Sequence, residues 1–132
     1  VLFLEELKQK ILLRVLEKIW ELEKAGEFSS VREVVVFGSA ARTEYFVPGL
    51  SDVDVLVVVE SASRSRHFSF EVDETRVDIS VYTIAELLEM AKHGSPLMHM
   101  LKYSIVLYSV GESITSRLIP RVTEYTLKVF RK

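Results

Sequence analysis

The chain has 132 residues, 48% of them hydrophobic and 27% charged, the composition of a globular protein rather than a disordered one. A net charge of −2 and a pI near 6.0 give no electrostatic footprint for non-specific nucleic-acid binding. The absence of cysteine excludes disulfides, thiolate metal sites and a cysteine nucleophile. Since no apolar run reaches the ~20 residues that cross a bilayer, and no signal-peptide pattern occurs, the expectation is a soluble cytoplasmic protein without a membrane partner. One domain over residues 1–132 is expected: an N-terminal helix to residue 26, a sheet over 32–82, and further helices with a short strand over 83–132.

From Phe3 to Lys24, Leu4, Leu7, Ile11, Val15, Ile19 and Leu22 follow helical spacing, with Leu12, Leu16 and Trp20 as a second stripe. This predicts a long helix packed on a sheet. Gly26 and Ser29-Ser30 end it, and a first strand is expected near Glu33 to Phe37. Val55 to Val59 is an unbroken apolar run, the pattern of a central strand covered on both faces. After a polar link over Ser61 to Arg66, alternation at Phe68, Phe70 and Val72, then at Val77, Ile79 and Val81, predicts a hairpin turning near Glu74. Thr83 and Glu86 form a capping box for a helix to Lys92, with His93 at its end and Gly94 as the stop. Ser95-Pro96 opens a short helix, Ser104 to Ser109 is a short strand, and a last helix is expected from about Ile119 to Phe130 with Pro120 in its first turn. Met90, Met98 and Met100 are expected as core or interface filler, and Tyr103 and Tyr108 as buried aromatics.

Chemistry concentrates between Val34 and Val59. One apolar run stops at Gly38-Ser39, and a second is opened by Ser51-Asp52-Val53-Asp54. Strand side chains alternate, so Asp52 and Asp54 point the same way with Cα atoms about 7 Å apart. Carboxylates at the mouth of a buried strand need compensation, and Mg²⁺ carrying nucleotide phosphates supplies it. Glycine lets backbone approach a ligand closely, and Ser39 is expected to cap a short helix at Ala40-Ala41-Arg42 whose N–H groups face an anion. Arg42 has the planar fork to grip a phosphate.

Gly38, Ser39, Ala41 and Arg42, then Ser51, Asp52 and Asp54, resemble the two half-motifs of the polymerase-beta-like nucleotidyltransferases, above all the small minimal nucleotidyltransferases. The likeness runs from the helix before Val34 to about Tyr108. Thr43 departs from the usual glycine, and the spacer Glu44 to Leu50, with Tyr45, Phe46 and Pro48, is longer and more apolar than usual.

The resemblance implies an α+β fold, a small mixed sheet with helices packed against it, like the polymerase-beta palm. It implies transfer of NMP, AMP by preference, from ATP or another NTP to a hydroxyl, with two Mg²⁺ ions. Asp52, Asp54 and Asp78 would be catalytic and metal-binding, Asp78 also acting on the attacking hydroxyl; Glu71 and Asp73 are rivals for that third place. Gly38, Ser39, Arg42 and Ser51 would hold the nucleotide. A helical HEPN-type protein is the implied partner, with this chain as antitoxin, and a homo-oligomer stays open. The contrasting expectation is a catalytically silent module that binds its partner through the same fold.

Overall fold

The structure is a computed structural model, which describes residues 2–42, 47 and 49–119, with side chains from residue 6 onward among them. Helix α1 spans Leu2–Lys24, strand β1 Phe28–Phe37, β2 Val53–Ala62, β3 His67–Val72 and β4 Thr75–Thr83. Helix α2 spans Ile84–Lys92, α3 Pro96–Met100, β5 Ser104–Ser109 and α4 Ile114–Leu118. The strands form a mixed sheet in the order β3-β4-β2-β1-β5, so the fold is α+β with helices packed on a mixed sheet, as the resemblance implied. Only β2 and β4 run parallel; every other neighbouring pair is antiparallel.

Strand alternation divides the core into two layers. Val53, Val55, Val57 and Val59 of β2 join Val77, Ile79 and Val81 of β4 and Val34 and Val36 of β1 on one face. Ile11, Leu12, Val15 and Ile19 of α1 cover that face. Leu56 and Val58 of β2 and Val35 and Phe37 of β1 point the other way, toward Leu87 of α2 and Met98 and Leu101 of α3. Every residue from Val55 to Val59 has no exposed surface, which accounts for the unbroken apolar run. These helices leave part of the second face open. Asp54 lies there, together with Ser69 and Glu71 of β3 and Arg76 and Asp78 of β4.

Local signals hold well where they are self-contained. Thr83 Oγ1 accepts from the Glu86 N–H at 3.2 Å, and a Glu86 carboxylate oxygen accepts from the Thr83 N–H at 2.8 Å, which completes the expected capping box of α2. Gly94, at φ +67°, ends it. Ser95 caps α3 through the Leu97 N–H, and Pro96 occupies the first turn, where no N–H is needed.

Three expectations change. Strand β1 begins at Phe28 rather than near Glu33, because buried Phe28 and Val31 flank polar Ser29 and pair with it along the far end of β2; a register shift between Val31 and Glu33 then puts Glu33 on the second face. Helix α4 was not anticipated. Tyr103 and Tyr108 are exposed at 39% and 37%, not buried; Tyr108 meets Trp20 edge to face at 4.9 Å. The helix expected to run to Phe130, Pro120 with it, lies outside the described residues beyond Ile119, as does the Leu4 side chain.

Candidate active site

The sheet itself aligns the acids. Phe37 pairs with Asp54 across β1 and β2, and Asp54 pairs with Asp78 across the parallel strands β2 and β4. Matched residues on neighbouring strands lie about 4.8 Å apart and share a face. Asp52 is exposed one residue ahead of β2. Of the three candidates for the third acid, Asp78 alone neighbours Asp54 in register. Glu71 sits on the outer strand opposite Arg76, and Asp73 lies in the hairpin turn, where both Asp73 and Glu74 have positive φ.

Gly38 closes the site from β1. It has φ +74°, and a Cβ there would lie 2.8 Å from Asp54 Oδ2. A larger residue would be strained in backbone and would also collide with the carboxylate. The turn beyond it is a 3₁₀ helix over Gly38–Ala41, and it corrects the expected cap: Phe37 occupies the cap position with no side-chain hydrogen bond. Because β1 runs straight into Gly38, the helix starts before Ser39, whose hydroxyl is therefore not a cap; the Ser39 carbonyl accepts from the Arg42 N–H at 3.0 Å. The Ser51 hydroxyl accepts from the Val47 N–H at 3.0 Å, and Gly49 N–H donates to Thr75 Oγ1 at 3.1 Å, tying this loop to β4. Thr43, Glu44, Tyr45, Phe46 and Pro48 lie outside the described residues.

Electrostatics separate the two paired acids. Burial pushes the Asp54 carboxyl above its ordinary value, and the charges of Asp78 and then Asp52 push it further in the same direction. Among the described residues no donor reaches it. At Asp78 burial also raises the pKa, but the hydrogen bonds from Ser69 and Arg76, with the Arg76 charge, outweigh burial and hold the group below its ordinary value. Ser69 Oγ donates at 2.7 Å and Arg76 Nε at 3.0 Å, both to Oδ1. Sequence reasoning left Ser69 and Arg76 on a generic polar face; Ser69 meets Asp78 because β3 and β4 pair in this register, and Arg76 reaches it from two residues earlier on the same strand.

The candidate donor set suits a hard divalent cation: its carboxylates offer only oxygens, and a cation offsets the burial, and then the repulsion, that raise Asp54. As the side chains stand, no three His, Asp or Glu groups among the described residues converge closely enough to hold one ion. The expected three-acid site is therefore aligned by the sheet but not assembled, with Asp78 bonded to Ser69 and Arg76.

A cleft of about 330 Å³ adjoins the 3₁₀ turn, lined by Gly38, Ser39, Arg42, Met100 and Tyr103. The Arg42 guanidinium stands over the Tyr103 ring, 4.5 Å from its centroid. Sequence reasoning missed Met100 and Tyr103 as lining residues, since only the pairing of β5 with β1 brings them to this turn. A larger hollow of about 440 Å³, between α1 and the β3–β4 hairpin, includes none of the three aspartates.

A search among curated proteins finds no match. The family model described as a nucleotidyltransferase domain matches residues 10–107, a span that runs from α1 to β5 and holds the Gly38-Ser39 turn and all three aspartates. With most of its length covered by that match, the chain belongs to the nucleotidyltransferase domain family.

Proposed function

We propose that the protein transfers a nucleoside monophosphate, AMP by preference, from an NTP to a hydroxyl of a partner protein. The observation that carries this reading is Asp54: half-buried, packed against Gly38, and under the charges of Asp78 and Asp52 with no donor to it among the described residues. Such a group is strained alone and relieved by a cation. On this reading Asp52 and Asp54 hold Mg²⁺, and Asp78 joins them once it leaves Arg76. Bound there, Mg²⁺ would offset charge on the reacting phosphates. The backbone at Gly38 and Ser39 holds the terminal phosphates, with Arg42 and Ser51 beside them. The acceptor oxygen attacks the α-phosphorus, the bond to the bridging oxygen breaks, pyrophosphate leaves, and the hydroxyl proton passes to Asp78. A HEPN-type helical acceptor and an antitoxin role follow from the resemblance.

One observation favours the alternative, a silent partner-binding module: Asp78 is occupied by Ser69 and Arg76, and the acids do not converge. Calorimetry with a non-hydrolysable ATP analogue, with and without Mg²⁺, separates the two. The enzyme reading expects Mg²⁺-dependent binding that Asp54→Asn abolishes, and label transfer from α-labelled ATP to the partner. A wild-type protein that binds no nucleotide but still forms the complex is the silent module.

A further inference from the structure

A hydroxyl of this chain already lies against the acid assigned to take the acceptor's proton. Ser69 of β3 pairs with Asp78 of β4, and its Oγ donates to Asp78 Oδ1 at 2.7 Å. The fold holds it there: Phe68 and Phe70, on either side, pack against the core layer under α1, and strand alternation then turns Ser69 to the open face that carries Asp54. Ser69 is exposed, and a hollow of about 260 Å³ opens beside it, lined by Ser69, Phe70, Glu71 and Arg76. Strand order adds a direction. Across β3-β4-β2-β1 the groups run Ser69, Asp78, Asp54 and then the Gly38-Ser39 turn at the end of β1, at strand spacings of about 4.8 Å. With the terminal phosphates on that turn, the leaving pyrophosphate lies on the β1 side of the acids and Ser69 on the opposite side. In phosphoryl transfer the attacking and leaving oxygens stand roughly in line through the phosphorus, so Ser69 occupies the flank from which an acceptor approaches.

We propose that Ser69 is a modification site: the chain transfers a nucleoside monophosphate in cis onto the Ser69 hydroxyl. This rests on the reading of the acids as a nucleotidyl-transfer site and adds an acceptor within the chain itself. Arg76, the other donor to Asp78 Oδ1, leaves first. Ser69 Oγ then bonds to the α-phosphorus, the bond from that phosphorus to the bridging oxygen breaks, and pyrophosphate leaves with the electron pair. The Ser69 proton passes to Asp78 Oδ1 along the hydrogen bond that already joins them. The product is a phosphodiester on β3 beside Asp78. It fills the flank that a partner's hydroxyl would use, so self-transfer ends after one nucleotide per chain and closes the site to other acceptors.

In the test, the purified chain is incubated without any partner in Mg²⁺ with each common NTP in turn, and its intact mass is measured. Wild type should gain one nucleoside monophosphate, at a rate per chain that dilution does not change, and fragmentation should place it on Ser69. Ser69→Ala should lose the gain and Ser69→Thr keep part of it, with melting unchanged in both. A second readout needs no turnover. Because the chain has no cysteine, Ser69→Cys carries a single thiol, and a non-hydrolysable analogue of the NTP with Mg²⁺ should slow its alkylation. Three results overturn self-transfer while the nucleotide reading stands: a wild type that binds the analogue by calorimetry yet gains no mass, a gain that Ser69→Ala retains in full, or alkylation that the bound analogue leaves unchanged. A wild type that binds none of the nucleotides overturns the nucleotide reading and self-transfer with it.

Discussion

Glu33 and Asp54 are both carboxylates on interior strands of one sheet and on the same face, and they have opposite surroundings. Glu33 has no exposed surface. Its carboxylate accepts from the Ser113 hydroxyl at 2.8 Å, from the N–H groups of Ile114 at 2.6 Å and Thr115 at 3.3 Å, and from the Thr115 hydroxyl. Those donors are the opening turn of α4, so a buried charge joins β1 to the helix and satisfies backbone groups that would otherwise be orphaned. Asp54 is less buried and feels the charges of Asp78 and Asp52, with no donor to it among the described residues. Burial with donors makes an acid part of the framework, whereas partial burial among like charges leaves it needing a cation.

The comparison can be broken from either side. The largest effect is expected at Glu33. Glu33→Ala strands the donors of α4 and should cost about 2–4 kcal/mol of stability, the scale of losing charge-assisted hydrogen bonds inside a protein. Chemical denaturation measures it; a loss under 1 kcal/mol means that α4 is held by its apolar residues alone.

Next comes Arg76. Its bond to Asp78 Oδ1 is exposed, so Arg76→Gln should leave melting unchanged. Since Asp78 joins the cation only after leaving Arg76, the variant should bind nucleotide in Mg²⁺ more tightly, by about tenfold, with Arg76→Lys in between. A variant with unchanged affinity and a kcat about tenfold lower would instead make Arg76 the residue that orients Asp78.

The smallest effect concerns stability against pH. Because the folded Asp54 carboxyl titrates above its ordinary value of 3.8, its charged form costs stability at neutral pH. That cost fades as pH falls through the folded pKa and is gone below the unfolded one. Asp54→Asn should therefore melt about 2–4 °C higher at pH 7, with the gain vanishing near pH 3. The contribution of Asp78, held low, runs the other way: it is present above the unfolded pKa and lost as pH falls through the folded one. Equal melting of wild type and Asp54→Asn at both pH values would contradict the strain assigned to Asp54.

Much of this was legible before folding. Helix α2 begins just after Thr83 because its capping box is a contract between residues three apart, and the edges of β5 fall at Ser104 and Ser109 as the short apolar run predicts. The run Val55 to Val59 announced a strand buried on both faces, and the Gly38-Ser39 and Asp52-Val53-Asp54 pair pointed to the family that the match over residues 10–107 shows. These signals are local: spacing, turn chemistry and alternation act within a few residues.

What only the tertiary structure decided involves residues far apart in the chain. The short link after β2 carries the chain to the outer edge, and the hairpin returns β4 between β3 and β2. That insertion puts Asp78 beside Asp54 and Ser69 against Asp78, placements that alternation along each strand does not contain. The acid at Glu33 looked like any polar residue at a strand start until α4 closed over it, and Tyr103 looked like a core aromatic until β5 paired with β1. Pairing partners and register are set by the packing of whole faces, which no window of neighbouring residues contains.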